Sequence, residues 1–357
     1  MKKRADEGLA FLLKYENVAW YEKGVVQILD RRIYPIRIEY VICHTYQEVA
    51  QAIADMVTQS GGPYTAAYMG MVLAAYQAVE TGQKDIYSYL KEAAFTLSHA
   101  RPTTSAKMEK VVNGSLNKAK EYIDKDCTGS ELVEALFEYA LAQLNINYRK
   151  HDFIAKYLAD HIPQNGTIMT QCFAETIIGT LLRECQKREN SIHLICAETR
   201  PYFQGARLTA SVAEDMGADV TVITDNMPGY VLNKKHVDLF TSAADVITMD
   251  GHIVNKIGTF QIALCANYWN IPYFVTGTPN LAHSVIDTVT IEERDPQETN
   301  KSLGVRTTLP GVKGYYPAFD ITPPKLCSGV VTDRGVFSPY DLASYFKAPA
   351  PNLGDDL

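Results

Sequence analysis

After Asn165-Gly166 the chain alternates short, nearly continuous apolar runs with helix-like segments, and that alternation leaves few folds open. The runs are "TIMTQC", "SIHLICAE", "DVTVITD", "DVITMD", "IPYFVTG" and "CSGVVTD". Between them lie "FAETIIGTLLRECQKR", "GARLTASVAEDMG", "VLNKKHVDLFTSA" and "FQIALCANYWN". A strand wetted on one face alternates polar and apolar residues; runs without alternation are covered on both faces, and crossover helices between them make the sheet parallel. A Rossmann-like, doubly wound parallel-sheet domain is therefore expected over residues 151–347. In such sheets ligands bind beyond the carboxyl ends of the strands, near a reversal of strand order. Chemistry is therefore to be sought at the residues closing or succeeding the runs: Cys172, "ETRPYFQGAR", "DNMPGY" and "DGHIVNKIGT".

The 357 residues are more than one hydrophobic core usually serves, so a second domain is expected over residues 1–150. It opens with "VAWYEKGVVQILDRRIYPIRIEYVICHT", where two β-rich segments flank charged turn residues and predict an antiparallel ribbon. "YQEVAQAIADMVTQ", "YTAAYMGMVLAAYQAVETG" and "IYSYLKEAAFTLSHA" then repeat apolar residues at three and four, the helical spacing. "TGSELVEALFEYALAQLNINYRKHDFIAKYLADHI" extends this into one long connecting helix or a helix pair, with Thr128 or Ser130 as N-cap. The overall expectation is an α/β chain: a mainly helical N-terminal domain with a small antiparallel sheet, the parallel-sheet domain, and a flexible tail, "APAPNLGDDL", over 348–357.

Charge and cysteine usage exclude several function classes. A formal charge of -7 argues against phosphate backbones or anionic membrane as partners, because both need clustered Lys and Arg. No segment has the length of a membrane span, and the apolar run near the N-terminus is broken too soon by Lys14 and Glu16 to read as a signal peptide. The 7 cysteines form no CxxC pair and no metal-ligand spacing, which fits reduced thiols in a cytoplasmic protein. There is no GxGxxG, so a nicotinamide or flavin has no support.

Four stretches carry groups capable of chemistry. Cys172 closes a strand and opens a helix, where unpaired amides and the helix dipole favour a thiolate. Cysteine also packs commonly in cores, and position alone leaves both readings open. "ETRPYFQGARLTA" gathers Glu198, Arg200, Gln204 and Arg207, with Gly205 opening a helix whose N-terminus suits a phosphate; surface ion pairs explain the same charges. In "AADVITMDGHIVNKIGT", Asp245 lies among apolar residues that would desolvate its carboxyl and favour the acid form, although a lone aspartate more often bonds to backbone. Asn255 and Lys256 come next, ahead of a small-residue helix start. "SHARPTT" offers Arg101 at a helix end.

Taken in order and spacing, "ETRPYFQGARLTA", "ITDNM", "NKIGTFQIALCA", "IEERDP" and "PAFDITP" resemble the methylthioribose-1-phosphate isomerases, and "VQILDRR", "AQAIADMV" and "ARPT" carry the resemblance into the first domain. The superfamily includes archaeal ribose-1,5-bisphosphate isomerases and the regulatory subunits of the translation-initiation guanine nucleotide exchange factor. The resemblance implies a catalytic cysteine at Cys172 of "MTQC" and a catalytic aspartate at Asp245 of "AAD". It implies contacts to substrate phosphate and sugar from Arg101, Gln204, Asn255 and Lys256, with the amides of Gly61 and Gly62 also on the phosphate. It further implies a sugar-phosphate substrate, a homodimer, and no cofactor or metal.

Three departures bear on the substrate. The usual "RGAP" is "QSGGP" here, so Gln59 or Ser60 stands near the place of an arginine; "NAG" after the cysteine is Phe173, Ala174 and Glu175; "NGD" is Asp250, Gly251 and His252. The expected reaction is aldose–ketose isomerisation of S-methyl-5-thioribose 1-phosphate or 5-deoxyribose 1-phosphate, with Asp245 protonating the ring oxygen and Cys172 handling the C2 proton. A hydride shift from C2 to C1 fits the same pair. The alternatives are ribose 1,5-bisphosphate as substrate, which calls for more cations, and a non-catalytic sugar-phosphate sensor, which would not need both Cys172 and Asp245.

Overall fold

The computed structural model describes residues 4–101 and 105–353, which divide into two compact units. One is built on Phe11–Tyr148, the other on Gly8–Ala10 with Arg149–Leu353. Of the tail, residues 354–357 lie outside the described residues.

The first unit begins with a three-stranded antiparallel sheet, β1 (Ala19–Glu22), β2 (Val25–Leu29) and β3 (Tyr40–Cys43), paired in that order. The ribbon expected from the sequence has one strand more, because Lys23 (φ 48°) and Gly24 (φ 83°) fold back as a two-residue hairpin inside what reads as one β segment. Next comes α1 (Tyr46–Ala54), closed by a capping box in which Thr45 Oγ1 accepts from Glu48 N and the Glu48 carboxylate accepts from Thr45 N. It is followed by α2 (Gly62–Glu80), α3 (Ile86–Ser98), α4 (Ser105–Ile123) and α5 (Ser130–Ala159). Helix α2 is apolar nearly all round and buried along most of its length, as the central helix of a bundle must be. Helix α4 is not among the helices expected above; it is polar on average and contains Gly114, yet its buried Met108, Val112, Leu116 and Ala119 recur at the helical spacing of three and four. That glycine has a packing reason, since a Cβ there would stand 2.2 Å from the Tyr139 hydroxyl of α5. Helix α5 is a single helix of 30 residues, and the division between the units falls within it.

The second unit runs β4 (Thr167–Gln171), α6 (Thr176–Lys187), β5 (His193–Ala197), a π turn at Gly205–Thr209, α7 (Ala210–Asp215), β6 (Asp219–Ile223), α8 (Pro228–Lys234), β7 (Leu239–Ala243), β8 (Val246–Ile247), β9 (Ile253–Lys256), α9 (Thr259–Tyr268) and β10 (Tyr273–Thr276). The small hairpin of β11 (Lys301–Ser302) and β12 (Val305–Arg306) comes after these, then β13 (Phe319–Thr322), β14 (Gly329–Thr332), β15 (Gly335–Phe337) and α10 (Ala343–Lys347).

Seven strands form the main sheet in the order β15-β14-β10-β7-β4-β5-β6, parallel except for the edge strand β15. From β4 the chain winds outward through β5 and β6, then returns to the other side of β4 as β7. The strand order therefore reverses between β4 and β7, which pair with Met169 opposite Phe240 and Thr170 opposite Thr241. Val231 and Leu232 of α8 and Ile262, Ala263 and Ala266 of α9 pack with Met169, Phe240, Val275 and Val330 of the sheet.

One expected strand is corrected. "DVITMD" does not enter the main sheet: Val246–Ile247 form β8 of a separate antiparallel sheet ordered β13-β9-β8. The central strand β7 is "LFTSA", read from sequence as the end of a helix-like segment. Its polar Thr241 and Ser242 disguise a fully covered strand, and both hydroxyls are satisfied inside the sheet, on Phe274 O and Ala243 O.

Candidate active site

Cys172 lies just past the end of β4, and Asp245 sits in the bend after β7. These are the two neighbouring strands that flank the reversal, where a doubly wound sheet leaves its crevice. Cys172 takes φ 64°, a left-handed conformation that a residue with a Cβ adopts only when its surroundings hold it. Its N–H donates to Thr199 Oγ1 at 2.9 Å and its carbonyl accepts from Thr209 Oγ1. Thr199 (φ 64°), Glu175 (φ 48°) and Phe203 (φ 57°) share the left-handed region, so strained backbone collects at the carboxyl ends of β4 and β5.

The thiol does not open a helix. Helix α6 starts at Thr176, and Phe173, Ala174 and Glu175 intervene, all buried. Although the residue is part-exposed, burial of the sulfur pushes the thiol up to about 11, Asp245 adds to that, and Lys256, the Phe173 amide and Arg294 oppose it. Cys172 is therefore a neutral thiol within reach of two cations rather than the thiolate expected from a helix N-terminus. Asp245 differs from expectation too. The residue is exposed rather than enclosed by its apolar neighbours, and its N–H donates to Val254 O at 2.9 Å, tying the bend to β9.

Asn255 and Lys256 end β9, 4 % and 5 % exposed. The Gln171 side chain, next to Cys172, holds this corner: its Nε2 donates to Ile257 O at 2.9 Å and its Oε1 accepts from Thr259 Oγ1 at 3.0 Å. Asn255 Nδ2 donates to the same Thr259 oxygen at 3.0 Å. The strand of the thiol and the strand of the lysine are thus locked through one threonine. Lys256 Nζ stands 4.6 Å from the Phe319 ring centroid. Burial, then the charge of Arg294, brings its ammonium down to about 8.

In the β5 connection, Gly205 approaches the strand so closely that a Cβ would meet Ala197 O at 1.8 Å. The arginines there are taken up by backbone: Arg200 donates to Lys301 O and Thr299 O, and Arg207 donates to Tyr202 O. Gln204 is different, being 4 % exposed with a buried Oε1 that has no hydrogen-bond partner. Such an atom fits a ligand's hydroxyl.

Cys172, Asp245, Lys256 and Asn255 are thus brought together in the second unit by charge or hydrogen bonding, with Gln204 on the neighbouring connection. Gly61, Gly62 and Arg101 belong to the first unit. There, Gly61 and Gly62 open α2, and Gly62 lies against Thr58, whose Oγ1 would be 1.8 Å from a Cβ. The fully buried Arg31 donates to Gln59 O at 2.8 Å from behind this turn, so a cation orients the loop although "QSGGP" carries none. Both polar ends of the Gln59 side chain are buried without a hydrogen-bond partner. Arg101 is half-buried just after α3, and residues 102–104 beyond it lie outside the described residues.

Two site residues escaped sequence reasoning. Asp320 of "PAFDITP" accepts from Gly258 N at 2.7 Å and from Phe260 N at 3.1 Å, fixing the start of α9, and burial raises it to about 6. Arg294 of "IEERDP" is the second cation. In both, the motif was visible while its place in space was not. Among the described residues no cluster of His, Cys, Asp or Glu could hold a metal ion, and no helix is long and apolar enough to cross a membrane.

Comparison with known proteins agrees with this architecture. The family model of the Initiation factor 2 subunit family matches residues 62–339, and the chain belongs to that family. The methylthioribose-1-phosphate isomerase of Desulforamulus reducens is 33 % identical over 335 residues, covering 90 % of this chain and 96 % of the relative. The crystal structure of 5-methylthioribose 1-phosphate isomerase from Pyrococcus horikoshii superposes with a TM-score of 0.80 at 27 % identity, covering 94 % of this chain and 97 % of that one. Translation initiation factor eIF-2B, subunit delta, from A. fulgidus gives a TM-score of 0.77 at 28 % identity, covering 90 % and 96 %.

Proposed function

We propose that the protein is an aldose–ketose isomerase that converts S-methyl-5-thioribose 1-phosphate to the corresponding ribulose 1-phosphate, with Cys172 and Asp245 exchanging protons with the sugar. The observation that carries this reading is a thiol and a carboxylate placed after the two strands that flank the reversal, coupled to each other and to a buried lysine. Likeness to isomerases over nine-tenths of the chain supports the substrate class. The A. fulgidus likeness alone would suit a non-catalytic role; retention of the thiol–carboxylate pair favours the enzyme.

A 1-phosphate locks the sugar as a ring, so opening needs an acid at the ring oxygen while the C2 hydrogen leaves. Cys172, whose ionisation burial and the charge of Asp245 oppose, carries its proton before the sugar binds. A sugar lying over Asp245 removes water from an exposed carboxylate and favours its neutral form, leaving a thiolate steadied by Lys256 and Arg294. Asp245 then protonates the ring oxygen as Cys172 takes the C2 proton, giving an enol phosphate. Cys172 returns its proton to C1, and Asp245 recovers one from the C2 hydroxyl, so the site ends as it began. Lys256 binds the phosphate, while Gln204 and Asn255 bind hydroxyls.

Phosphorus and proton NMR of the protein with methylthioribose 1-phosphate, 5-deoxyribose 1-phosphate and ribose 1,5-bisphosphate tests the reading. The first is expected to turn over fastest. In D2O, deuterium at C1 shows proton transfer and excludes a hydride shift; a ketose without it is given both by a hydride shift and by a thiol that returns the same proton. Faster conversion of either other sugar would reassign the substrate, and saturable binding without conversion would favour a sensor.

A further inference from the structure

Arg294 has no place among the substrate contacts of the proposed mechanism, yet it lies in the same corner of the second unit. Its side chain is 9 % exposed. Nε donates to Glu292 Oε1 at 2.7 Å, while Nη1 is buried without a hydrogen-bond partner. The guanidinium carbon stands 5.6 Å from the Phe319 ring centroid, the ring that Lys256 Nζ approaches at 4.6 Å. Two cations therefore share one aromatic ring away from water. The buried hydroxyl of Tyr316 faces the same guanidinium, whose charge and hydrogen bonding oppose the rise that burial imposes on the phenol.

Each of these features costs free energy in the empty protein. A buried guanidinium with an unused donor forfeits the water it would bind outside, and two neighbouring cations repel. That repulsion is visible at Lys256, where Arg294 is the largest cause after burial of the lowered ammonium. Glu292 answers one of the two charges. An anion with several oxygens answers the other and takes up Nη1.

We infer that Arg294 is a further substrate-binding residue, its Nη1 donating to a phosphoryl oxygen of the sugar phosphate held between it and Lys256. The inference rests on the isomerase reading for the identity of the sugar, but not for the anion. A residue that merely tied down the "IEERDP" loop through Glu292 would affect the fold and leave phosphate affinity alone.

The test uses the whole protein, with inorganic phosphate as a calorimetric probe and methylthioribose 1-phosphate for kinetics, in wild type, Arg294→Met, Arg294→Lys and Arg294→Ala. In Arg294→Met, phosphate Kd and substrate KM are expected to rise about 10- to 100-fold, the loss of one charge-assisted hydrogen bond, with a smaller fall in kcat. Arg294→Lys keeps the charge without the fork and falls between; it carries the comparison if the methionine variant does not fold. Added guanidinium should restore part of the phosphate affinity of Arg294→Ala. Phosphate affinity within twofold of wild type in a folded variant overturns the inference, as does a wild type that binds no phosphate. A wild type that binds phosphate through Arg294 but converts no sugar leaves it standing while the isomerase reading falls.

Discussion

Replacing Lys256 by methionine should make the empty protein more stable and the enzyme worse. The ammonium is lowered from 10.5 to about 8, a difference of about 2.5 units. At ~1.36 kcal/mol per unit this is about 3 kcal/mol by which folding disfavours the charged lysine. Because the folded value lies below the unfolded one, the penalty is complete below about pH 8 and fades as pH rises towards 10.5. Methionine fills nearly the same volume without charge, so Lys256→Met should raise Tm at pH 7 by about 6–12 °C at the 2–4 °C per kcal/mol usual for a body of this size. The gain should shrink steadily between pH 8 and pH 10. Substrate KM should rise at least about 10-fold, since the charge that destabilises the empty site is the one that meets the phosphate. Thermal unfolding of both proteins across that range checks it. A variant equal to or less stable than wild type at pH 7, or a gap that does not close with pH, would refute the reasoning.

Other predictions bear on single parts of the site. The Cys172 thiol, raised from 9.0 to about 11, should react with iodoacetamide about 100-fold more slowly at pH 8 than an ordinary thiol, and more slowly still in Lys256→Met; peptide mass spectrometry reads the site directly, and a free-thiol rate contradicts a buried neutral sulfur. Thr259→Val removes the hydroxyl that joins Gln171 to Asn255 and should cost about 1–3 kcal/mol in urea unfolding together with a fall in kcat; unchanged kinetics would separate this threonine from the site. Gly205→Ala drives a Cβ into the Ala197 carbonyl and should lower Tm or prevent folding; a variant as stable as wild type would mean the turn can move without loss.

The parallel sheet was legible because its inner strands are covered on both faces and need continuous apolar runs, as in "TIMTQC" and "CSGVVTD"; the edge strand β6, "DVTVI", shows a similar run but is mostly exposed. Where burial is achieved by hydroxyls bonded within the sheet, as in "LFTSA", the signal vanishes and β7 reads as helix. Helix α4 carried its signal in the open, Met108, Val112, Leu116 and Ala119 at helical spacing, within a stretch that is polar on average. Cys172 and Asp245 could be picked out by their positions after strands, but their electrostatics could not. Whether α6 starts at residue 172 or 176, and whether Asp245 is enclosed or exposed, depends on backbone angles that local composition does not dictate. Arg294 and Asp320 reach the site from a distant stretch of chain, so only the fold reveals them.

Whether Cys172 and Asp245 together isomerise a sugar 1-phosphate is tested most directly by phosphorus NMR progress curves with methylthioribose 1-phosphate. Wild type, Cys172→Ser and Asp245→Asn would be run side by side after circular dichroism has established that all three are folded. Conversion to the ketose 1-phosphate is expected of wild type and none detectable of either variant, with the substrate still bound. Turnover at a wild-type rate in either folded variant would remove that residue from the chemistry and contradict the proposed mechanism.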